Sequence, residues 1–311
     1  MSASGGRAPG EMRVEDGPHA VEIRGLRKRF DGQDVLQGLD WSIPRGRTIG
    51  LLGRNGAGKT TLLRCMLGLM PINGGTVEIL GEPMDEPRGE RLHRIGYVPQ
   101  TFDLFPWMKV AAFLDFTSAF YRSWDAALCA RLLEEWSIDT RKRISTLSQG
   151  QRQMLAIIRA LAPGPDLILL DEPVASLDPK ARRDFLATLM PLIQGTGRTV
   201  VFSTHITTDL ERIDADIALL RDGAIAFTRP VQAVREQIQK AVLRADAGTA
   251  YVEPPQVPGV LAARVDSGAA CYVVDAGDPE TLTSLQALAK REQAQLSFTT
   301  LSLEDLFVEM A

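Results

Sequence analysis

Between Val21 and Thr228, short runs rich in β-branched residues alternate with longer segments whose apolar residues recur every three or four positions. The runs VEIRGL, WSI, TIGLLG, TVEIL, GYVPQ, LILLD and TVVFST predict strands, and IALLRDGAIAF predicts two strands turned at Asp222-Gly223. TTLLRCMLGLM, VAAFLDFTSAFY, DAALCARLLEEW, GQRQMLAIIRALA and PKARRDFLATLMPLIQ predict amphipathic helices. Such alternation implies an α/β domain with a largely parallel sheet over residues 21–230, interrupted by a helical lobe at 102–145. Beyond Pro230 the pattern changes: a helix VQAVREQIQKAV, strands near AYVEP, VLAARVD and ACYVVDA, a helix ETLTSLQALAKRE, a strand QLSFTT and a closing helix SLEDLFVEM. Residues 231–311 therefore form a small α+β accessory domain, ferredoxin-like in character, entered through Pro254, Pro255 and Pro258.

Length and composition narrow the function. A chain of 311 residues can bury a substantial core, and 45% hydrophobic with 24% charged residues is ordinary globular composition. The net charge is −4, and positions 235–311 hold 6 Lys/Arg against 11 Asp/Glu, so no basic arm is offered to nucleic acid. Cys65, Cys129 and Cys271 are odd in number and far apart, which excludes a disulfide framework and metal-ligand spacing and fits a reducing cytosol. Residues 1–20 carry small and charged residues with no apolar core of a signal peptide, and read as a disordered tail. No run reaches the ~20 apolar residues that span a bilayer. Work at a membrane would need a separate anchor.

Two motifs carry chemistry. GRNGAGKT, from Gly53 to Thr60, fits G-x-x-x-x-G-K-[ST] and lies between a predicted strand and a predicted helix. Its glycines allow successive N–H groups to face phosphate oxygens, Lys59 reaches the β- and γ-phosphates, and the Thr60 hydroxyl suits Mg²⁺. In LILLDEP an apolar strand ends in Asp171 and Glu172, the first placed to hold Mg²⁺ and the second to polarise an attacking water. A third stretch, STLSQGQRQ, has capping-box spacing between Ser148 and Gln151, which predicts a helix start and an anion site beyond the one at the phosphate loop.

These motifs, with others in fixed order, resemble the ATP-binding subunit of ABC transporters over residues 21–228. Gln100 at the end of GYVPQ matches the Q-loop, LSQGQ (Leu147 to Gln151) the signature, SLD (Ser176 to Asp178) the D-loop, and His205 in STH the switch histidine. Phe30 stands where the family stacks an aromatic ring on adenine, although a place in the core of its strand is an open alternative. The resemblance implies a P-loop NTPase cassette with an antiparallel β subdomain and a helical subdomain. It implies MgATP held by Gly53, Asn55, Gly56, Ala57, Gly58, Lys59, Thr60 and Thr61, with Thr60, Gln100 and Asp171 organising Mg²⁺. Glu172 is then the base, assisted by His205, Gln100 and Lys59.

The same resemblance accounts for the second anion site. In the family two cassettes close head to tail, so Ser148, Gln149, Gly150, Gln151 and Asp178 would serve a nucleotide held by a second cassette, a copy or a paralogue. Gln149 departs from the glycine usual at its position. The family also implies a separate integral membrane permease and a place on the inner face of the membrane. Phe102 to Trp124 holds 8 of the chain's 19 aromatic residues, as either lobe core or a docking surface for that permease, with Phe105, Trp107 and Met108 the docking candidates. The C-terminal region is similar to the tails of ABC-2-type exporter ATPases, which points to export. A non-transport ABC ATPase of DNA repair or the ribosome is the rival. No long insertion separates Lys59 from Asp171 and only one cassette is present, and both facts favour transport.

Overall fold

Strands β1 (His19–Phe30) and β2 (Gln33–Pro44) form an antiparallel ribbon whose alternating buried residues, Leu26, Leu36, Leu39, Trp41 and Ile43, face one core. Asp31 and Gly32, both at positive φ, make the tight turn between them. In this computed structural model the described residues are 18–84, 89–101, 104–175, 177–193, 197–211, 213, 215–245 and 250–310. Most of the expected tail lies outside them, and its last two positions, His19 and Ala20, already belong to β1. Two units emerge, one comprising residues up to His205 together with 222–225, the other residues 206–221 and 226–311.

In the first unit, β3 (Thr48–Leu52) leads through the glycine loop into α1 (Lys59–Met66). The following β4 (Gly74–Ile79) and β5 (Glu82–Pro83) join the ribbon, giving a sheet of order β2-β1-β4-β5. A short α2 (Gly89–Leu92) precedes β6 (Ile95–Val98), and the lobe follows with α3 (Val110–Ser118) and α4 (Ala126–Glu135). Asp125 caps α4 by accepting the Leu128 N–H at 2.8 Å. Then come α5 (Gln149–Leu161), β7 (Leu167–Asp171), α6 (Pro179–Ile193) and β8 (Thr199–Thr204). Strands β3, β8, β7 and β6 pair in that order and all run parallel, as the alternation of strand and helix requires. Every residue of β7 and β8 is buried, the signature of a parallel sheet covered on both faces.

The second unit holds α7 (Thr207–Glu211), β9 (Asp216–Arg221) and most of β10 (Ala224–Pro230). Asp222 (φ 48°) and Gly223 (φ 73°) supply the two left-handed residues of the expected turn. Next come α8 (Val231–Gln237), β11 (Ile238–Ala245), β12 (Ala262–Asp266), β13 (Ala269–Asp275), α9 (Pro279–Arg291), β14 (Ala294–Thr300) and α10 (Leu303–Met310). The antiparallel sheet runs β12-β13-β11-β14, and its core of Ala241, Leu243, Tyr272 and Val274 packs on Leu285 and Leu288 of α9. Glu309 of α10 binds Lys240 (2.6 Å) and Arg264 (2.7 Å), fastening the last helix over β11 and β12.

Two expectations are corrected here. The helix foreseen over 231–242 stops at Gln237, because β11 is an inner strand and pairs on both sides, with β13 and β14. That ladder outweighs the helical spacing of Val231, Val234 and Ile238. No strand forms at AYVEP either. Its contribution to pairing is one hydrogen bond, Tyr251 N–H to the Gly268 carbonyl at 3.0 Å, and Pro254 and Pro255 remove the donors that would extend it. The unit thus keeps a ferredoxin-like strand order but runs an extended proline-rich segment where a first helix would cross.

Close packing of α5 on β6 sets where both elements point. A Cβ on Gly96 would lie 2.6 Å from the Ala160 carbonyl oxygen, a backbone atom that can yield only if α5 moves. Gly96→Ala is expected to destabilise the chain by about 1–3 kcal/mol, read as a lowered denaturation midpoint with an unchanged slope. A midpoint equal to wild type would show that α5 is not pinned there.

Candidate functional site

Four parallel strands end at one edge of their sheet. In the register Leu52 pairs with Thr204, Asp171 with Ser203, and Val98 with Leu170. The residues that follow are Gly53, His205, Glu172 and, two positions on, Gln100. The carboxyl edge of a parallel sheet is where α/β folds place ligands.

The loop from Gly53 to Gly58 reaches α1 through two left-handed glycines, Gly56 (φ 83°) and Gly58 (φ 100°). A side chain on Gly58 would strain the backbone and press Val35 Cγ1 at 3.0 Å. Gly58 is the N-cap of α1 and supplies no side-chain cap, so Lys59, Thr60 and Thr61 open the helix with their N–H groups left to another acceptor. Lys59 is buried, and its Nζ donates to the carbonyls of Gly53 (2.7 Å) and Arg54 (3.1 Å). Asn55 and Ala57 complete the loop, with Ala57 N–H turned onto the Arg54 carbonyl at 3.1 Å.

Glu172 is the hub. Its Oε1 stands 3.3 Å from Lys59 Nζ, its Oε2 3.4 Å from His205 Nδ1, and Gln100 Nε2 donates to Oε2 at 3.3 Å. Three residues singled out by separate motifs therefore meet on one carboxylate, which is only 10% exposed. Its backbone sits in the left-handed region at φ 46°, a conformation costing a non-glycine residue about 1–3 kcal/mol. Burial draws the Lys59 ammonium below the usual lysine range, opposed by the charge of Glu172.

Asp171 is fully buried. Burial pushes its carboxyl above the usual range, while the Ser203 hydroxyl bond, the nearby Thr60 hydroxyl and the Lys59 charge pull the other way. Oδ1 accepts the Ser203 hydroxyl at 2.8 Å, whereas Oδ2 is buried with no hydrogen-bond partner among the described residues. No group of three His, Cys, Asp or Glu side chains able to hold a metal occurs among those residues. One carboxylate oxygen beside a threonine hydroxyl suits Mg²⁺, which binds through one or two protein oxygens plus phosphate and water. Ser203 was invisible in the sequence, where TVVFST reads as an apolar strand and nothing marks its serine.

Phe30 is 40% exposed, so it is not a core residue. The Lys28 ammonium lies 4.6 Å from the ring centroid and is held by the Pro71 carbonyl at 2.8 Å. Ser148 caps α5 in the expected box: Gln151 N–H donates to Ser148 Oγ (3.1 Å) and Ser148 N–H to Gln151 Oε1 (3.2 Å). Gly150 allows α5 to start against the loop that carries Asp178, since a Cβ there would meet Leu177 Cδ2 at 2.9 Å. Asp178 caps α6 through the N–H groups of Lys180 and Ala181, each at 3.0 Å. Ser176 lies outside the described residues, as does Phe102. No hydrogen bond or ion pair among the described residues joins Ser148, Gln149, Gly150, Gln151 or Asp178 to Lys59, Thr60 or Glu172.

Known proteins resemble this chain in sequence and fold. The family model described as ABC transporter matches residues 36–175. A Nod factor export ATP-binding protein I of Burkholderia orbicola is 32% identical over 93% of this chain and 96% of its own length. The protein of that name from Cupriavidus pinatubonensis is 35% identical over 70% of this chain and 69% of its own. A solved structure of an ATP binding subunit of an ABC transporter superposes with a TM-score of 0.62 at 26% identity, covering 70% of this chain and 92% of the other.

Because burial penalises the charged form of Asp171, its folded pKa lies above its unfolded one. The stability it lends is full below the unfolded carboxylate range and lost as pH rises through the folded value. Asp171→Asn is therefore expected to melt higher than wild type at neutral pH, with the gap closing as pH falls and wild type takes up the proton. Scanning calorimetry across that range checks both the sign and the closure; a lower melting temperature at neutral pH would refute it.

Proposed function

This chain belongs to the ABC transporter family as an ATP-binding, ATP-hydrolysing subunit, and we propose that it works as one of two cassettes that close around two MgATP. The observation that carries the reading is the meeting of Lys59, Gln100 and His205 on Glu172 at the carboxyl edge of the sheet. In this reading Gly53, Asn55, Gly56, Ala57 and Gly58 wrap the phosphates with backbone N–H groups, joined by those of Lys59, Thr60 and Thr61. Adenine stacks on the face of Phe30 opposite Lys28. Thr60, Gln100 and Asp171 would hold Mg²⁺, which would supply neutralisation of the charge on the phosphate oxygens.

Lys59 begins on Glu172 at 3.3 Å. An arriving γ-phosphate competes for the ammonium and draws it off, which leaves Oε1 to accept a proton from the attacking water. His205 and Gln100, both within 3.4 Å of Oε2, then hold the carboxylate in line and contact the γ-phosphate. Charge neutralisation and positioning do most of the work of phosphoryl transfer. Among the described residues no hydrogen bond or ion pair links Ser148 to this cluster, which supports a partner-directed role for the signature, with Ser148, Gln149, Gly150 and Asp178 facing the nucleotide of the second cassette.

Among the described residues no helix is long and apolar enough to cross a membrane. Family membership supports coupling through a separate permease at the inner face of the membrane. Phe105, Trp107, Phe116 and Phe120 are exposed and linked by ring contacts at 5.0–5.7 Å, a patch of the kind that receives apolar partner helices, with Met108 beside it. Export is supported by the relatives, whose names state it, and the Burkholderia orbicola protein matches 93% of this chain.

Glu172→Gln is expected to lower ATP turnover by about two to four orders of magnitude while ATP still binds and a nucleotide-trapped dimer accumulates on sedimentation. Turnover at the wild-type rate would reject the assigned base. Ser148→Asp keeps the helix cap but sets a negative charge toward the partner's γ-phosphate. ATP binding by the monomer should survive and dimer formation should not; an ATP-dependent dimer of normal affinity in this variant would overturn the cross-subunit role.

A further inference from the structure

We propose that Ser203 is the positioning residue that locks Asp171 and Glu172 into their working geometry, a single hydroxyl bridging both acids from the neighbouring strand. The inference rests on the reading of Glu172 as base and Asp171 as metal holder. Ser203 is fully buried in β8, paired in register with Asp171, and its Oγ makes two contacts. It donates to Asp171 Oδ1 at 2.8 Å and accepts the Glu172 N–H at 2.9 Å.

The direction of these bonds follows from the groups. A peptide N–H can only donate, so the serine oxygen must accept from Glu172, and its one proton goes to the ionised Asp171. Each contact has a separate consequence. The bond to Oδ1 fixes the rotation of the Asp171 carboxylate, so that Oδ2, buried and without a partner among the described residues, is the oxygen left for a cation. The bond from Glu172 N–H anchors the residue at φ 46°, the left-handed turn that carries its side chain to Lys59, Gln100 and His205. Residues in sparsely populated backbone regions persist only where the surroundings over-determine them. Valine or alanine would satisfy the strand equally well and supply neither contact, so the hydroxyl serves the acids and not the sheet.

The test compares Ser203→Ala and Ser203→Thr in the full chain, at a temperature where circular dichroism shows both folded. Removing an orienting partner of a metal or catalytic group commonly lowers affinity or activity about 10- to 100-fold. Ser203→Ala should lose turnover in that range while KM for ATP shifts less than about threefold. Mn²⁺ affinity, read by electron paramagnetic resonance with a non-hydrolysable ATP analogue, should fall by about tenfold. Metal-free binding of a fluorescent ATP analogue should not change. Threonine should restore turnover and Mn²⁺ affinity together; if its methyl is not accommodated, Ser203→Cys, a weak donor of similar size, takes its place. Wild-type turnover and Mn²⁺ affinity in Ser203→Ala would overturn the proposal, and so would a loss that accompanies metal-free binding and is not rescued. Glu172→Gln run alongside separates the two failures: an active Glu172→Gln rejects the reading of the base, whereas an inactive one beside an active Ser203→Ala rejects only the role of Ser203.

Discussion

The register of three parallel strands is the constraint on which the site depends. Leu52 opposite Thr204 and Asp171 opposite Ser203 bring the phosphate loop, both acids and His205 to the same edge. A slip of one residue between β7 and β8 would turn Asp171 to the other face and remove Ser203 from its reach, because side chains alternate along a strand. Complete burial of both strands makes such a slip expensive. The hydrophobic core is thus the device that aligns groups contributed by motifs more than a hundred positions apart.

Burial also gives the site its electrostatic character. Lys59 and Asp171 are pushed toward their neutral forms by loss of water, and each is only partly compensated. Lys59 has two carbonyls and one carboxylate; Asp171 has one firm hydroxyl bond and one oxygen without a partner. Groups held in this way are costly to the fold and characteristic of functional sites. In the proposed site a phosphate–cation pair would supply the missing compensation on both sides at once, which would couple nucleotide and metal binding more tightly than two independent sites.

Much of this was readable from spacing. The loop between strand and helix at Gly53–Gly58, the strand that ends at Asp171, the Ser148 box and the Asp222-Gly223 turn rest on local rules, in which backbone conformation is decided by residues a few positions away, and these conformations are present in the structure. Features decided by distant partners were not readable in the same way. The helical spacing of residues 231–242 fails from Ile238 onward because β13 and β14 flank that strand, and the long ribbon from Gln33 to Asp40 shows no strong strand pattern until β1 lies beside it. Ser203 escaped for a related reason. Its importance lies in what stands across the sheet from it, and no local pattern encodes a register.

The start of α5 shows how the structure divides a motif that sequence treats as one. Gln151 commits both ends of its amide, Oε1 to Ser148 N–H and Nε2 to the Ser137 carbonyl, so it ties the helix start to the end of α4. Ser148 uses one lone pair for the cap and retains its proton, which is free to be donated to an anion in front of the helix. Gln149 is exposed and its side chain makes no hydrogen bond among the described residues. In the proposed pair Gln151 therefore builds the surface, Ser148 both builds it and binds, and Gln149 extends outward from it. Where a glycine would present bare backbone to the partner, the glutamine amide adds a donor and an acceptor that a second cassette would meet.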